Sequence, residues 1–295
     1  MSVKTRVLIG SPVCQEPDVL RMFLFSLERL STSNLTLHYL FVDDNNDPLS
    51  SKILQSFADK HTGQVDIIPA AGGLHPFTCD ETTHYWSDAL VWKVAGFKDE
   101  MIARAKHQDY DALFLIDSDL LLQPATLEVL LASDKEIISE IFWTSWTPDT
   151  VPVPQVWLKD EYTQFECARH EQISLEEQYL RKYAFYGQLR VPGVYEVGGL
   201  GACTLIRRKA LQAGVSFKQI PNLSFWGEDR HFCIRAQALG LSLFVDTHHP
   251  AFHLYRESDF AEARTWMKQI YGSAPLRVKT TRPPVGNNNT IPLGN

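Results

Sequence analysis

The 295-residue chain lacks the features that mark several common protein classes. Its five cysteines form no CxxC pair and lie at least thirty positions apart, which argues against a zinc knuckle or a disulfide framework. The N-terminus has no apolar run long enough for a signal peptide, and no later stretch reaches the ~18 apolar residues of a membrane-spanning helix. We therefore expect a cytoplasmic protein with reduced thiols and no transmembrane segment.

Charge and glycine patterns exclude further classes. The 28 lysines and arginines against 35 acidic residues give a net charge of −7, which disfavours a broad nucleic-acid surface. Neither a GxGxxG turn after the first apolar run nor a GxxxxGK[ST] loop is present, which argues against dinucleotide and P-loop phosphate sites. Apolar residues make up 44% of the chain, enough for a sizeable core, and the length allows two domains or one larger α/β unit.

Short apolar runs alternate with amphipathic segments through the first part of the chain. Buried strands are predicted at Arg6–Gly10, Leu35–Val42, Val65–Pro69 and Ala112–Ile116, and helices at Asp18–Leu30, Ser50–Lys60 and Ser87–Lys106. This rhythm predicts an α/β fold with a mostly parallel, doubly wound sheet and helices on both faces. The ligand site of such a sheet lies beyond the carboxyl ends of its strands.

Polar residues gather where these predicted strands end. The first strand opens at Pro12, the second ends at Asp43 and Asp44, and the last is followed by Asp117 and Asp119. If this edge binds a diphosphate, paired carboxylates that hold Mg²⁺ or Mn²⁺ are the natural substitute for a glycine cradle. The open alternative is that the last two acids only terminate a strand with turn hydrogen bonds.

The Asp-x-Asp pattern alone carries little weight, because a chain of this composition contains about one such pair by chance. Asp109 and Asp111 also form one, just before the last predicted strand. We expect this first pair to cap or solvate the start of the strand. Asp117 and Asp119 follow the strand, so we expect them at the ligand edge.

A second group of candidate residues begins a helix. Glu228 and Asp229 fall in the first turn of a predicted helix that ends at Gly240. Complementing the helix dipole is the simpler explanation of an acidic pair in this position. The neighbouring Trp226 offers a flat apolar face to a sugar, and a carboxylate beside it can take a proton from a hydroxyl. The combination favours a catalytic role.

His253 is the third candidate. It follows the strand-like run Ser242–Val245 and stands near His248 and His249. A lone histidine is more often a hydrogen-bonded structural residue than a metal ligand. Both interpretations therefore stay open for His253 on its own.

The order of these motifs resembles that of glycosyltransferases with the GT-A fold, most of all the family 2-type bacterial members. The resemblance covers roughly residues 4–256, and it lies in the ordered set DD, FLIDSD, VGGLGACTLIRR, GEDRHFCIRA and HLY rather than in any single motif. It implies that Asp43 or Asp44 contacts the nucleotide base. It further implies that Asp117 binds the ribose or the metal, that Asp119 binds the metal and the diphosphate, and that His253 is a further metal ligand.

The same resemblance assigns the chemistry. Asp229 would be the general base of an inverting transfer, with Glu228 beside it. Pro12 and Trp226 would join the donor-binding residues. The implied cofactor is Mn²⁺ or Mg²⁺, and the implied donor is a UDP- or GDP-linked sugar.

Two later stretches carry no recognised motif. Phe142–Tyr162 holds Trp143, Trp146 and Trp157 with three prolines, which exclude a regular helix in its middle. These tryptophans either roof the core or line a loop near the acceptor. The charged and tyrosine-rich stretch Glu161–Arg190 is predicted to form a solvated helix.

The chain carries no acid beyond Glu262, whereas five basic residues follow. This end is either disordered or a mobile basic arm that closes over the donor diphosphate. We accordingly expect residues 1–125 to bind the nucleotide sugar and residues 126–262 to form the acceptor-binding and catalytic half of the same unit. Residues 263–295 form a basic tail.

The sequence thus predicts a metal-dependent glycosyltransferase of the hexosyltransferase type that acts on an unknown hydroxyl acceptor. A nucleotidyltransferase acting on a sugar phosphate is an alternative, but it would need a Gly- and Lys/Arg-rich loop after the first strand. A haloacid-dehalogenase-type phosphatase would need a DxDx[TV] motif on the first strand. A non-catalytic nucleotide- or carbohydrate-binding module also remains open.

Overall fold

The computed structural model describes residues 4–70, 78–80, 82, 84–159, 162–224 and 227–272. Within these ranges the strands are β1 (Thr5–Val13), β2 (Leu35–Asp43), β3 (Val65–Pro69), β4 (Thr78–Cys79), β5 (His84–Tyr85), β6 (Ala112–Leu115), β7 (Leu120–Leu121), β8 (Ile137–Thr144), β9 (Val153–Pro154), β10 (Val156–Trp157), β11 (Val194–Val197), β12 (Gly199–Leu200), β13 (Thr204–Arg207) and β14 (Leu243–His253). The helices are α1 (Pro17–Glu28), α2 (Pro48–Lys60), α3 (Asp88–His107), α4 (Thr126–Ala132), α5 (Leu175–Leu189), α6 (Arg208–Ala213), α7 (Glu228–Ala238) and α8 (Phe260–Tyr271).

One large sheet organises the fold. Its strand order is β11-β14-β8-β13-β6-β1-β2-β3, with β7 paired to β14 and β9 paired to β8. Strands β6, β1, β2 and β3 run parallel to one another, and β14 runs parallel to β8. Strand β13 is antiparallel to both of its neighbours, β6 and β8. The predicted α/β class and mostly parallel sheet are confirmed, whereas the antiparallel insertion of β13 was not predicted.

Helices cover both faces of the sheet, as the sequence predicts. Alternate residues of β1 belong to different apolar layers, because successive side chains of a strand point to opposite faces. Val7 and Ile9 pack with α1, α2 and α4, and Leu8 packs with α3, α5, α6 and α7. Helix α8 closes a smaller apolar cluster with α1 and β7. No helix in the described ranges is both long and apolar enough to span a bilayer.

The stretch Glu161–Arg190 differs from the predicted solvated helix. Its helix, α5, begins only after Ser174, whose Oγ accepts a hydrogen bond from Glu177 N at 3.1 Å. The helix is not solvated on all sides, because Phe185, Tyr186 and Leu189 are buried in the core. The charges are therefore confined to its outer side and first turns.

The two adjacent glycines of the VGGLG motif are explained by packing. A Cβ at Gly199 would lie 2.0 Å from the Trp157 ring, and one at Gly198 would lie 2.0 Å from the Leu158 carbonyl oxygen. Strand β10 therefore approaches β12 too closely for any other residue. Trp157 is 4% exposed, so for this tryptophan the core role is confirmed.

Candidate active site

The polar residues that follow β1, β2 and β6 lie at one edge of the sheet. Asp43 is the last residue of β2 and pairs with Val13 at the end of β1, and Asp117 lies two residues after the end of β6. Pro12, Asp117 and Asp229 line the same small cavity, together with Lys98. The fold thus brings residues from four separate parts of the sequence to the edge where a ligand of such a sheet binds.

Asp119 and His253 meet because β7 pairs with the end of β14. Leu120 lies opposite His253 in this antiparallel pair, and Leu254 N donates a hydrogen bond to the Asp119 carbonyl at 2.9 Å. The two side chains consequently face each other, with His253 Nε2 3.4 Å from Asp119 Oδ2. Although burial raises the pKa of Asp119, the nearby imidazoles of His253 and His84 lower it overall.

This pair has the chemistry of a cation site. Asp119 is 8% exposed, and its Oδ1 is a buried atom with no hydrogen-bond partner among the described residues. An orphaned carboxylate oxygen next to an imidazole nitrogen fits a divalent cation, and the imidazole favours Mn²⁺ over Mg²⁺. The side chains present therefore suit the metal that the sequence predicts.

A second layer of side chains orients His253. Its Nδ1 lies 2.8 Å from Thr144 Oγ1 on β8, and Gln155 Nε2 donates to the same hydroxyl at 3.2 Å. A histidine that ligates a metal through Nε2 needs such a partner on Nδ1 to fix its tautomer and ring orientation. Sequence reasoning missed Thr144, because nothing in the sequence reveals that β8 and the end of β14 are neighbours.

Lys98 on α3 is the centre of a buried charge network that sequence reasoning also missed. Its Nζ lies 2.7 Å from Glu228 Oε1, 3.3 Å from Asp229 Oδ1 and 3.9 Å from Asp117 Oδ1. Burial alone would lower the pKa of Lys98, but the three carboxylates outweigh it and hold the pKa well above its usual value. The ammonium therefore stays charged and joins the first turn of α7 to the acid that follows β6.

Glu228 and Asp229 occupy different environments within this network. The Glu228 side chain is 12% exposed and makes the shorter contact to Lys98, whereas the Asp229 side chain is 27% exposed. Burial raises the pKa of Asp229 to about 7, Lys98 opposes the rise, and Glu228 and Asp117 reinforce it. Asp229 Oδ2 faces Gly201, where a Cβ would lie 3.5 Å away. Asp229 is thus the more accessible carboxylate of the pair.

The two acids at the end of β2 both accept hydrogen bonds from described residues. Asp44 accepts from Lys93 Nζ at 2.6 and 2.7 Å. Asp43 Oδ1 accepts from the Asn45 side chain at 2.7 Å and from Ser51 Oγ at 3.1 Å. These contacts shape the turn beyond β2, and contact of either acid with a nucleotide base stays a prediction.

The other Asp-x-Asp pair lies at the opposite end of β6. Asp111 Oδ2 accepts from Arg6 N at 2.8 Å, and Asp111 Oδ1 contacts Arg208 Nη2 at 2.8 Å. Asp109 pairs with the same Arg208 guanidinium. The expectation that this pair caps the start of the strand is confirmed, so the pair offers an internal control for Asp117 and Asp119.

Aromatic side chains surround His253. The Tyr255 ring lies 5.2 Å from the His253 ring and is stacked 3.9 Å from the His84 ring. His84 Nε2 donates to the Tyr255 carbonyl at 2.7 Å. Trp146, 47% exposed, meets the other side of Tyr255 at 5.5 Å. The aromatic stretch therefore reaches the site through Trp146, and its role toward an acceptor stays a prediction.

Two candidate features lie outside the described residues. Trp226, the expected sugar platform, is one of them, although Gly227 and α7 immediately after it are described. The end of the basic tail, residues 273–295, is the other. Tyr162 lies close to the start of α7, since its hydroxyl oxygen would lie 3.0 Å from a Cβ at Gly227.

Comparison with known proteins gives matches of structure but not of sequence. No protein-family model and no curated protein sequence matches the chain. GalNAc-T7 in complex with UDP, GalNAc and Mn²⁺ is similar with a TM-score of 0.53 at 14% identity, over 86% of this chain and 44% of that one. The mannosyltransferase PcManGT from Pyrobaculum calidifontis, in complex with GDP-Man and Mn²⁺, is similar with a TM-score of 0.51 at 12% identity, over 91% of this chain and 62% of that one.

These similarities bear on the fold alone. The chain spans less than two thirds of the length of either protein. Both alignments nonetheless include most of this chain. The chain has the GT-A fold of glycosyltransferases.

Proposed function

We propose that the protein is a metal-dependent glycosyltransferase that moves a sugar from a nucleotide diphosphate donor to a hydroxyl acceptor, with inversion at the anomeric carbon. The proposal depends chiefly on the proximity of Asp119 and His253 beside the Lys98 network. Asp119 Oδ2 lies 3.4 Å from His253 Nε2. Mn²⁺ and a UDP or GDP-sugar ligand in the two structural neighbours support the same assignment.

Asp119 and His253 would hold the cation, and Asp117 would be a further candidate ligand. The cation, Mn²⁺ or Mg²⁺, would act as a Lewis acid that offsets the negative charge of the departing diphosphate. Asp119 suits this role because its buried Oδ1 lacks another partner and its pKa is lowered, so the carboxylate is ionised at neutral pH. Thr144 holds His253 in the orientation that presents Nε2 to Asp119.

Asp229 would act as the general base. A base works best when its pKa lies near the working pH, and the pKa of about 7 satisfies this condition. Glu228 would act through Lys98 rather than on the acceptor, since it is nearly buried and makes the shorter ion pair. Accepting the hydroxyl proton on one face of the sugar while the diphosphate leaves from the other gives inversion.

The remaining candidate residues divide between donor and acceptor. Pro12, Asp43 and Asp44 would contact the nucleoside, since they border the ends of β1 and β2. Trp226 would pack on a sugar ring beside Asp229. This assigns donor binding to residues 1–125 and acceptor binding and catalysis to residues 126–262. The hexosyl type of the sugar and a cytoplasmic location belong to the same proposal, the latter resting on the wide spacing of the cysteines, which indicates no disulfide framework.

Turnover of nucleotide sugars tests the proposal. The full chain is incubated with UDP- and GDP-linked hexoses, with Mn²⁺ or with EDTA, and the products are identified by NMR, including the anomeric configuration of the released sugar. We expect release of UDP or GDP that EDTA abolishes, loss of release in Asp119→Asn, and a fall of ~10²–10⁴-fold in Asp229→Asn at unchanged donor affinity. Asp111→Asn, the capping copy of the motif, should keep wild-type activity.

Other products would contradict the assignment in distinct ways. Formation of pyrophosphate from a sugar phosphate and a nucleoside triphosphate would identify a nucleotidyltransferase. Binding of nucleotide without turnover of any donor would identify a binding module. A released sugar with retained configuration would keep the transferase and overturn the role of Asp229 as base.

A further inference from the structure

A second cluster of metal-ligating side chains lies deeper in the sheet. Glu140 on β8 and Asp246 and His249 on β14 bring one ligand atom each to within 4.8 Å of one another. Glu140 precedes Thr144 by four residues on β8, which places the cluster roughly 13 Å along the strand from the Thr144–His253 contact at ~3.3 Å per residue. The cluster is therefore separate from the proposed donor site.

An irregularity in β14 creates this cluster. Asp246 pairs with Glu140, and the next pair joins Ala251 to Phe142. Between these two pairs the chain advances five residues along β14 but only two along β8. The extra residues form a bulge that contains His249 and places its ring near the carboxylates of Glu140 and Asp246. Bulges re-aim side chains at functional sites more often than regular strand does.

Burial makes these groups unusual. Glu140 and Asp246 are each 1% exposed. Glu140 Oε2 and His249 Nδ1 are buried and have no hydrogen-bond partner among the described residues. Glu140 Oε1 accepts a long bond from Ile141 N, at 3.3 Å, and the backbone N–H of His249 also faces the Glu140 carboxylate. Asp246 is contacted by the half-exposed His248 at 3.0 Å. The cluster thus contains two buried ligand atoms without a hydrogen-bond partner among the described residues.

The charges in this space are unbalanced. Within the part of the chain that the structure describes, neither Glu140 nor Asp246 forms an ion pair with a lysine or an arginine. Burial, and then the charge of Asp246, raises the pKa of Glu140 well above its usual value. Two buried carboxylates side by side are unfavourable unless a proton or a cation lies between them.

We propose that Glu140, Asp246 and His249 bind a divalent transition-metal ion, Zn²⁺ or Mn²⁺, at a structural site distinct from the donor site. Two carboxylate oxygens and one imidazole nitrogen suit these ions better than Mg²⁺ or Ca²⁺, which prefer oxygen ligands alone. The ion offsets the negative charge of the two buried carboxylates. The bound ion links the β14 bulge to β8 at Glu140, four residues before Thr144 on that strand.

Metal counting on the full chain tests this site without a glycosyl donor. The protein is stripped with EDTA, loaded with Zn²⁺ alone or Mn²⁺ alone, dialysed, and assayed by mass spectrometry of the metal and by calorimetry. We expect Asp119→Asn to retain one tightly bound equivalent. His249→Ala should lose that equivalent, whereas Glu176→Gln, an exposed acid on α5, should match the wild type.

The results that overturn the proposal do not depend on a fragile variant. Wild-type protein that binds neither Zn²⁺ nor Mn²⁺ after stripping overturns it, and so does a His249→Ala protein with an unchanged metal count. Glu140→Gln adds a check, since it should lose the metal together with the metal-induced rise in Tm. Because the site is independent of the proposed transferase activity, inactivity toward every nucleotide sugar with one bound equivalent in Asp119→Asn leaves this inference standing.

Discussion

Replacing Lys98 by methionine removes the one ammonium that contacts Glu228, Asp229 and Asp117 within the described residues while keeping a side chain of similar length. If Asp229 is the general base, Lys98 sets the pH at which it works. Without the ammonium, the ionised form of Asp229 is less favourable beside Glu228. We therefore expect the activity profile of Lys98→Met to move to higher pH.

The distance between the charges gives the size of the shift. Lys98 Nζ lies 3.3 Å from Asp229 Oδ1. Coulomb's law makes their attraction about 1.3 kcal/mol in a dielectric of 80 and about 5 kcal/mol in one of 20. Since ~1.36 kcal/mol corresponds to one pKa unit, the pKa of Asp229 should rise from about 7 by at least ~1 unit. At pH 7 its ionised fraction then falls from about one half to about one tenth or less.

Donor hydrolysis at saturating nucleotide sugar and Mn²⁺, followed from about pH 5.5 to about pH 9.5, measures this effect. We expect a loss of ~5-fold or more at pH 7 that recovers in alkaline buffer, because only the ionised base is active. Lys93→Met is the matched control on the same helix. Lys93 contacts Asp44 at 2.6 Å, so its loss should change the donor KM and leave the midpoint of the profile in place.

Two outcomes would refute this reasoning. Coinciding midpoints for the wild type and Lys98→Met would show that Asp229 is not the titrating group. A Lys98→Arg variant with the displaced midpoint of Lys98→Met would show that charge is not the cause, because arginine keeps the positive charge.

Three further changes probe other parts of the structure. Thr144→Val removes the hydroxyl 2.8 Å from His253 Nδ1, and calorimetry should show Mn²⁺ affinity lowered ~10–100-fold at unchanged Tm; unaltered affinity would contradict the orienting role. Folding raises the pKa of Asp229 to about 7, so the folded wild type holds a proton that the unfolded chain releases, and its stability falls as pH rises from about 4 to about 7. The stability of Asp229→Asn should therefore increase relative to that of the wild type over this pH range, by up to ~4 kcal/mol. An equal difference in unfolding free energy between the two proteins at pH 5 and pH 8, measured by urea unfolding, would be inconsistent with this. Deleting residues 273–295, which follow α8 and lie outside the described ranges, should leave Tm nearly unchanged but weaken donor affinity or raise hydrolysis relative to transfer, and a truncated enzyme equal to wild type in both would rule out a lid.

The first half of the sheet was predictable from the sequence because its signals are local. Buried parallel strands are continuous apolar runs, and the amphipathic period identifies the helices between them. Strand β3 has the predicted bounds Val65–Pro69, and β2 differs from its prediction by one residue. The order of strands and helices then determines that Asp43 and Asp117 lie at one edge.

Other features depend on pairings that no local pattern encodes. An apolar run gives no sign of the direction in which its strand pairs with its neighbours. The antiparallel insertion of β13 between β6 and β8 could therefore not be predicted. Lys98 lies on the buried side of α3 with Ala95, Met101 and Ile102, and a charge on that side was the available signal. Its partner Glu228 is 130 residues away, beyond the reach of a periodicity argument.

The central claim is that Asp119 and His253 hold a divalent cation together with the donor diphosphate, and nucleotide binding by calorimetry tests it most directly. UDP and GDP are each titrated into the wild type, Asp119→Asn and the matched Asp111→Asn, with Mn²⁺ and then with EDTA. We predict binding of at least one nucleotide that requires Mn²⁺ in the wild type and in Asp111→Asn, and its loss in Asp119→Asn. Undiminished Mn²⁺-dependent affinity in Asp119→Asn would contradict the claim.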